Sequence, residues 1–359
     1  MKKSGSKKKS IALIVIACIV VVLIAGLWIF SVYMYNLNFD RRIESYAPQA
    51  YRVEDFEDLH RTGYKFASNK GQQLQGYMYR SGDEQKGIVV LAHGFGGGGQ
   101  RTYMDCINYF AKNGYYVFAY DATGNDESEG ETVGGMPQGV IDLDYAISFV
   151  EDNEDFPDLP IVLFGHSWGG YSALNVLNFH PEVKAVVEAA GCNKSSDLFE
   201  AGGRAIAGPV VYPLMPFIRA HEFFKYGNYS TTSALKAFKK TDAAVMFVHS
   251  SDDKTVPIEY GLDLFKKKLG DDPRFVYMRF ENKGHGCLNI DTGYNAEFNA
   301  QFDEWLKTLD YDYNASENYD RFAADKADYI NKNLDRAKWA DRLDEEMFAQ
   351  FVAFYDEHI

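Results

Sequence analysis

The sequence has few cysteines and no recognisable site for a structural metal or a nucleotide. Four of its 359 residues are cysteine, and Cys106, Cys192 and Cys287, the three in the main body, cannot all pair within one chain. No Cys-x-x-Cys or Cys/His cluster has metal-ligand spacing, and no Gly-Lys-Ser/Thr follows the glycine-rich run at residues 94–99. The sequence therefore predicts no disulfide scaffold, no structural zinc and no P-loop.

Positive charge is also scarce. Lysine and arginine number 37 against 51 aspartate and glutamate, and the formal net charge is −14. Five of the lysines lie within the first nine residues, so the remainder of the chain is more acidic still. Such a body repels nucleic acid and anionic lipid, and we expect neither as a direct partner.

Residues 11–30 contain no charged side chain and predict a membrane helix. Twenty such residues form a helix about 30 Å long, which matches the hydrocarbon layer of a bilayer. A cleaved signal peptide would have a shorter apolar region of about 7–15 residues, so a retained anchor is favoured. The preceding lysines predict a cytoplasmic segment at residues 1–10 and a body on the extracytoplasmic side of the cell membrane. Residues 31–62 are predicted as a stalk or packing segment.

The rest of the chain alternates apolar strand candidates with helical stretches. Near-continuous apolar strands separated by helices are typical of a parallel sheet that is covered on both faces. The predicted strands are residues 64–68, 74–79, 88–92, 115–120, 161–164, 185–188, 244–249 and 275–280, the first two forming a hairpin. The predicted helices are residues 101–113, 137–151, 168–179, 259–269 and 294–309.

Two segments depart from this alternation. Residues 192–241 are long, aromatic and interrupted by prolines, and we interpret them as a lid inserted over one edge of the sheet. Residues 310–359 form an acidic extension that ends in an apolar stripe at helical spacing. A terminal helix docked on the body is favoured there over a helix that binds a partner.

A Gly-x-Ser-x-Gly motif lies between a predicted buried strand and a helix. Ser167 is its serine, flanked by Gly165 and Gly169. A serine on a sharp strand-to-helix turn is exposed for attack, and glycines avoid the clashes that so tight a turn would create. The N-terminus of the following helix directs positive dipoles at a developing oxyanion. The motif predicts that Ser167 is a catalytic nucleophile.

A serine nucleophile needs a histidine base and an acid that orients it. His285 lies between two glycines directly after the last predicted strand, which favours it over the other seven histidines. Its main rival is His249, which ends the preceding strand and is expected to point into the sheet or the lid base. The loop after that strand offers two adjacent acids. Asp253 is favoured by its position relative to Val256-Pro257, with Asp252 as the alternative.

An oxyanion hole needs two backbone N–H groups. One is expected from Trp168, the residue after the nucleophile, and the other from the glycine-rich loop after the strand at residues 88–92. In that loop the N–H of Phe95 is the predicted donor.

These motifs together closely resemble the α/β-hydrolase family, above all its bacterial esterase, monoacylglycerol-lipase and serine-aminopeptidase-like members. The resemblance covers residues 63–309 and implies an eight-stranded, mostly parallel sheet, a Ser-Asp-His triad at its carboxyl edge and a lid between strands six and seven. Two positions depart from the pattern, since Asp126 and Ser250 stand where glycine is common. The matching motifs, in order, are His93-Gly94-Phe95-Gly96, Asp121-x-x-Gly124-x-x-x-Ser128-x-Gly130, Gly165-x-Ser167-x-Gly169, Asp253-x-x-Val256-Pro257 and Gly284-His285-Gly286.

The favoured function is hydrolysis of a carboxylic ester with a small or medium acyl group, through an acyl-enzyme on Ser167. This chemistry needs no metal and no organic cofactor. The predicted membrane anchor also favours a lipase-like activity as an alternative. A peptidase would need a group that recognises a peptide terminus, for which Glu188, Glu200 and Glu222 are candidates. A non-catalytic binding protein with a retained hydrolase fold is the hypothesis from a different class, and the intact motifs argue against it.

Overall fold

A computed structural model describes residues 3–359 of the protein, with side chains from Ser10 onward. The lysines of the predicted basic segment therefore lie outside the described side chains. Helix α1 spans Lys3–Phe39, and its part from Ser10 to Phe39 is long and apolar enough to cross a membrane. The helix continues beyond the predicted span because its last turns pack on the body, where Ser31, Tyr35 and Phe39 are buried at intervals of one turn.

Eight strands form one mostly parallel sheet, as the sequence predicts. Their order is β1-β2-β4-β3-β5-β6-β7-β8, with β2 antiparallel to both β1 and β4 and the other neighbours parallel. The carboxyl ends of the parallel strands meet at one edge, where ligands bind in folds of this type. The strands are His60–Ala67 (β1), Gln73–Arg80 (β2), Gly87–Ala92 (β3), Tyr115–Tyr120 (β4), Ile161–His166 (β5), Ala185–Ala189 (β6), Ala244–Ser250 (β7) and Phe275–Phe280 (β8).

Helices cover both faces of this sheet. Leu143, Leu174 and Phe265 are buried on one face, whereas Phe110 and Phe348 are buried on the other. The helices after α1 are Met104–Lys112 (α2), Met136–Asp152 (α3), Trp168–Val176 (α4), Ser195–Ala207 (α5), Met215–Tyr226 (α6), Ala234–Ala237 (α7), Leu262–Leu269 (α8), Tyr294–Leu306 (α9), Tyr319–Asn333 (α10), Arg336–Ala340 (α11) and Glu345–His358 (α12).

The C-terminal extension completes the covering of the sheet. The predicted apolar stripe is buried along α12, and the Tyr355 hydroxyl donates to the carbonyl oxygen of Leu163 in β5 at 2.6 Å. Helix α9 instead packs on α10, where Phe298 and Ile330 share a small separate cluster. The core packed on the sheet therefore includes α12, which lies in the predicted extension at residues 310–359.

The segment between β6 and β7 is helical and contacts α1. It contains α5, α6 and α7, with 3-10 turns at Gly208–Leu214 and Gly227–Thr231. Helix α6 and the first of these turns contact the last turns of α1, and α6 also contacts α3. We call this segment the helical insertion.

Candidate active site

Ser167 occupies the turn between β5 and α4 in a conformation that few residues adopt. Its φ is 57° and its ψ is −116°, in the positive-φ region that disfavours side chains. The glycines on either side are required by close backbone approach. A Cβ on Gly165 would lie 2.2 Å from the carbonyl oxygen of Gly169, and a Cβ on Gly169 would lie 1.9 Å from that of Ala92. The sharp turn thus depends on both glycines of the motif.

Three predicted site residues from separate loops come together at the carboxyl edge of the sheet. Nε2 of His285 lies 2.9 Å from Oγ of Ser167, and Nδ1 of His285 lies 2.8 Å from Oδ2 of Asp253. The loop after β8 carries His285, and the loop after β7 carries Asp253. A hydroxyl, an imidazole and a carboxylate in this order form a proton-transfer chain from serine to histidine.

The geometry separates the two candidate acids. Oδ1 of Asp252 accepts the backbone N–H of Gly284 at 2.9 Å and the hydroxyl of Ser250. Asp252 therefore shapes the loop that carries His285, whereas Asp253 makes the side-chain contact with the imidazole.

The Asp253 carboxylate is buried and held at both oxygens. Its Oδ1 accepts the backbone N–H groups of Thr255 and Val256 at 2.8 and 2.9 Å. Burial alone would raise the pKa of Asp253, but hydrogen bonds from His249 and His285 lower that pKa well below its ordinary value. The carboxylate is therefore ionised at neutral pH and suited to stabilise a charged imidazole.

His249 lies inside the protein beneath Asp253. It is fully buried, with Nε2 at 2.8 Å from the carbonyl oxygen of Val256 and at 3.3 Å from Oδ2 of Asp253. Burial opposes the charged form, but the hydrogen bond that His249 donates to Asp253 and the nearby Glu188 carboxylate raise the pKa of His249 overall. Sequence position suggested a buried role for His249 but gave no signal for this contact with the acid.

His166 and Tyr103 support the loop of His285, and sequence reasoning missed the role of Tyr103. The Tyr103 hydroxyl accepts the N–H of Gly94 at 3.1 Å and donates to Nδ1 of His166 at 2.7 Å. Nε2–H of His166 then donates to the carbonyl oxygen of His285 at 2.8 Å. Burial and the adjacent His285 lower the pKa of His166 to about 4, so this imidazole is neutral. The position between Gly165 and Ser167 was the only available signal for His166.

The two predicted oxyanion donors follow neighbouring parallel strands. Ala92 in β3 pairs with Gly165 in β5, and Phe95 and Trp168 each lie three residues farther along. The N–H of Trp168 is the first in α4 and has no acceptor within that helix. The rings of Phe95 and Trp168 meet edge to face, with centroids 5.9 Å apart.

Asp126 fixes the glycine-rich loop that carries Phe95. Its φ is 34°, so an aspartate here adopts the backbone region in which glycine is common. Its Oδ2 accepts the N–H of Gly99 at 2.9 Å, and its Oδ1 accepts the N–H of Ser45 at 2.5 Å. The side chain that departs from the family pattern thus ties the loop to the segment after α1.

Two cavities of about 470 Å³ each share Phe95 in their linings. The polar cavity contains Ser167 and His285, together with Arg342 from the C-terminal extension. Arg342 donates to the hydroxyl of Tyr51 and to the carbonyl oxygen of Trp339, both at 2.8 Å. The apolar cavity lies between α1 and the helical insertion. A further cavity of about 680 Å³ is lined at the amino ends of β5 and β6, away from Ser167.

Comparisons with known proteins agree with a hydrolase of this fold. The sequence profile of the serine aminopeptidase family S33 matches residues 83–222. Uncharacterized protein YqkD of Bacillus subtilis is 25% identical over 239 residues, which cover 65% of this chain and 75% of YqkD. The monoglyceride lipase of Rattus norvegicus is 31% identical over 109 residues, 30% of this chain and 34% of the lipase. The esterase structure from Pyrococcus furiosus superposes with a TM-score of 0.52 at 15% identity, covering 72% of this chain and 94% of the esterase.

Proposed function

We propose that this chain, a hydrolase with the α/β-hydrolase fold, cleaves carboxylic esters through an acyl-enzyme on Ser167. The observation that carries the proposal is the position of His285, whose two ring nitrogens lie 2.9 Å from the Ser167 hydroxyl and 2.8 Å from the Asp253 carboxylate. The esterase and lipase names of similar proteins support the same reaction class.

In the proposed reaction, Oγ of Ser167 attacks the carbonyl carbon of the ester while Nε2 of His285 accepts the hydroxyl proton. The ionised Asp253 stabilises the imidazolium and fixes its tautomer. The N–H groups of Phe95 and Trp168 donate to the oxyanion. His285 then gives its proton to the leaving alkoxide, and water activated by the same imidazole hydrolyses the acyl-enzyme.

The polar cavity offers no exposed carboxylate from the three glutamates considered for binding a peptide N-terminus. Its lining includes the guanidinium of Arg342, which repels an ammonium group, and the buried carboxyl of Asp105. Two of the glutamates considered for that role, Glu188 and Glu222, are buried and accept hydrogen bonds from Gly191 and Ser195. The third, Glu200, lies in the helical insertion within 3.9 Å of Arg219.

A substrate screen tests the reaction class. The full-length protein is assayed with p-nitrophenyl esters of graded acyl length and with aminoacyl p-nitroanilides, with Ser167→Ala as the control. We expect ester turnover that Ser167→Ala abolishes and no anilide turnover. Anilide turnover without ester turnover would replace the esterase with a peptidase.

We also propose that α1 anchors the protein in the cell membrane as a single span, with a cytoplasmic N-terminus. The apolar length of Ser10–Phe39 and the lysines that precede it support this topology. A protease added outside intact cells should digest the hydrolase body. If the body is protected until the cells are lysed, the proposed orientation is wrong.

A further inference from the structure

The apolar cavity has the composition of a hydrocarbon-binding site. Two of its described lining residues, Asn38 and Thr255, have polar side chains, and none is charged. Its volume of about 470 Å³ falls within the range of small-molecule sites. The remaining lining residues come mainly from α1 and from the helical insertion.

The last turns of α1 form one wall of this cavity. Phe30, Met34 and Asn38 recur at intervals of four residues and so share one face of the helix. The position of that face is fixed, because Tyr35 is fully buried, stacks on Phe199 of α5 with centroids 5.1 Å apart and donates to Oε1 of Glu222 at 3.1 Å.

The cavity borders the proposed catalytic residues. Phe95 lines both cavities, and its ring contacts that of Phe39 with centroids 5.4 Å apart. Thr255 also lines the apolar cavity, and its backbone N–H donates to Oδ1 of Asp253. An acyl group attached to Ser167 therefore has an apolar site beside it.

The opposite side of the cavity is continuous with the membrane-crossing part of α1. Phe30 belongs both to the cavity and to the predicted span at residues 11–30. Nearby, the ring of Trp28 contacts those of Phe217 and Phe224 in α6 at 6.3 and 6.1 Å. The insertion also exposes apolar side chains, with Phe224 77% and Ile206 88% accessible. Exposed apolar groups beside a membrane helix are suited to contact with lipid.

We propose that the last turns of α1 form one wall of an acyl-chain site. This site receives the single long hydrocarbon chain of an amphiphilic ester from the bilayer. The anchor then determines acyl specificity as well as location. This inference rests on the proposed esterase function and extends it to a substrate class, in place of the small or medium acyl esters expected from the sequence.

The test measures acyl selectivity in full-length protein held in phosphatidylcholine nanodiscs. The kcat/KM values for p-nitrophenyl laurate and p-nitrophenyl acetate are compared in wild type and in Met34→Trp, whose larger indole would narrow the cavity. Because each buried methylene contributes up to about fourfold, we expect the laurate-to-acetate ratio to fall at least about tenfold. Met34→Ala, which enlarges the cavity, should move the preferred chain to a longer acyl group.

Ile29→Trp is the matched control. Ile29 lies on the same helix about 140° around its axis from Met34, is exposed and does not line the cavity. Its substitution should leave the ratio unchanged. If wild type hydrolyses both esters but all three variants keep the wild-type ratio and chain preference, the acyl-site inference is overturned. If wild type hydrolyses neither ester, the proposed function itself fails.

Discussion

The two cavities that share Phe95 have similar volumes but differ in how the chain builds them. The polar cavity is formed mainly by loops at the carboxyl ends of β3, β5 and β8, in which glycines and polar side chains recur at short spacing. The apolar cavity is formed by α1 and the helical insertion, whose lining residues are separated by more than 150 positions in the sequence.

The two cavities have different proposed roles, one in the reaction and the other in the choice of acyl chain. The polar cavity holds the groups proposed to break the ester bond, and its precision depends on hydrogen bonds of defined length. The apolar cavity is proposed to choose the acyl chain, and it depends on burial, which has no directional requirement. Substitutions in the polar cavity should therefore change catalytic rate, whereas those around the apolar cavity should change selectivity or stability.

The largest expected effect separates the two adjacent acids of the polar cavity. Asp253→Asn should lower kcat/KM about 10⁴-fold, because an amide cannot stabilise the imidazolium and favours the wrong tautomer. Asp252→Asn keeps the carbonyl oxygen that accepts the Gly284 N–H and should change kcat/KM by about threefold at most. Ester kinetics measure both. Equal losses would contradict the assignment of Asp253.

A second prediction concerns the carboxyl that joins α1 to the insertion. Burial raises the pKa of Glu222 from an ordinary value of 4.5 to about 7. Between these values the unfolded chain has released its proton and the folded chain has kept it, so wild-type stability falls as pH rises. Glu222→Gln has no carboxyl to titrate at this position and does not lose stability in this way. The Tm of the variant minus that of wild type should therefore increase from pH 5 to pH 8. Thermal unfolding in detergent measures the difference, which a constant Tm offset would contradict.

A smaller effect is expected from the hydrogen bonds behind His285. Tyr103→Phe removes the donor to His166 and the acceptor for Gly94, so the loop of His285 and the glycine-rich loop of Phe95 lose their link. We expect kcat/KM to fall about tenfold. Tyr109→Phe, which removes a partly exposed hydroxyl contact with Glu345, is the control. Similar activity in both variants would show that the link does not matter for rate.

The smallest effect concerns Tyr35 on α1. Tyr35→Phe removes its buried hydrogen bond to Glu222 and should lower the free energy of unfolding by about 1 kcal/mol, with little change in acetate hydrolysis. The exposed Tyr33 provides the control Tyr33→Phe, which should leave stability unchanged. Denaturant titration compares the two variants. Equal stability would indicate that α1 is not fixed to the insertion by this bond.

The same contrast explains what the sequence could predict. Ser167, His285 and Asp253 each follow an apolar strand, and the glycines around the first two reflect local backbone demands, so short motifs indicated all three. The sequence favoured Asp253 over Asp252 only weakly, because both follow the same strand. The contact with His285 depends on how the loop folds.

The remaining features depend on contacts between distant segments. Arg342 reaches the polar cavity only because the C-terminal extension folds back onto the sheet. Met34 and Tyr35 belong to an apolar helix whose sequence indicates a membrane span, and nothing in that pattern shows that its last turns line a cavity. Aliphatic and aromatic residues pack in many combinations, so their partners cannot be identified from spacing alone.

Covalent labelling of Ser167 tests the central claim most directly. The full-length protein is treated with a fluorophosphonate, and the modified peptide is identified and its rate of formation measured by mass spectrometry. The account predicts one adduct on Ser167, no adduct at this position in Ser167→Ala and much slower labelling in His285→Ala. An adduct on another residue that accounts for the activity, or labelling of Ser167 at the wild-type rate without His285, would contradict it.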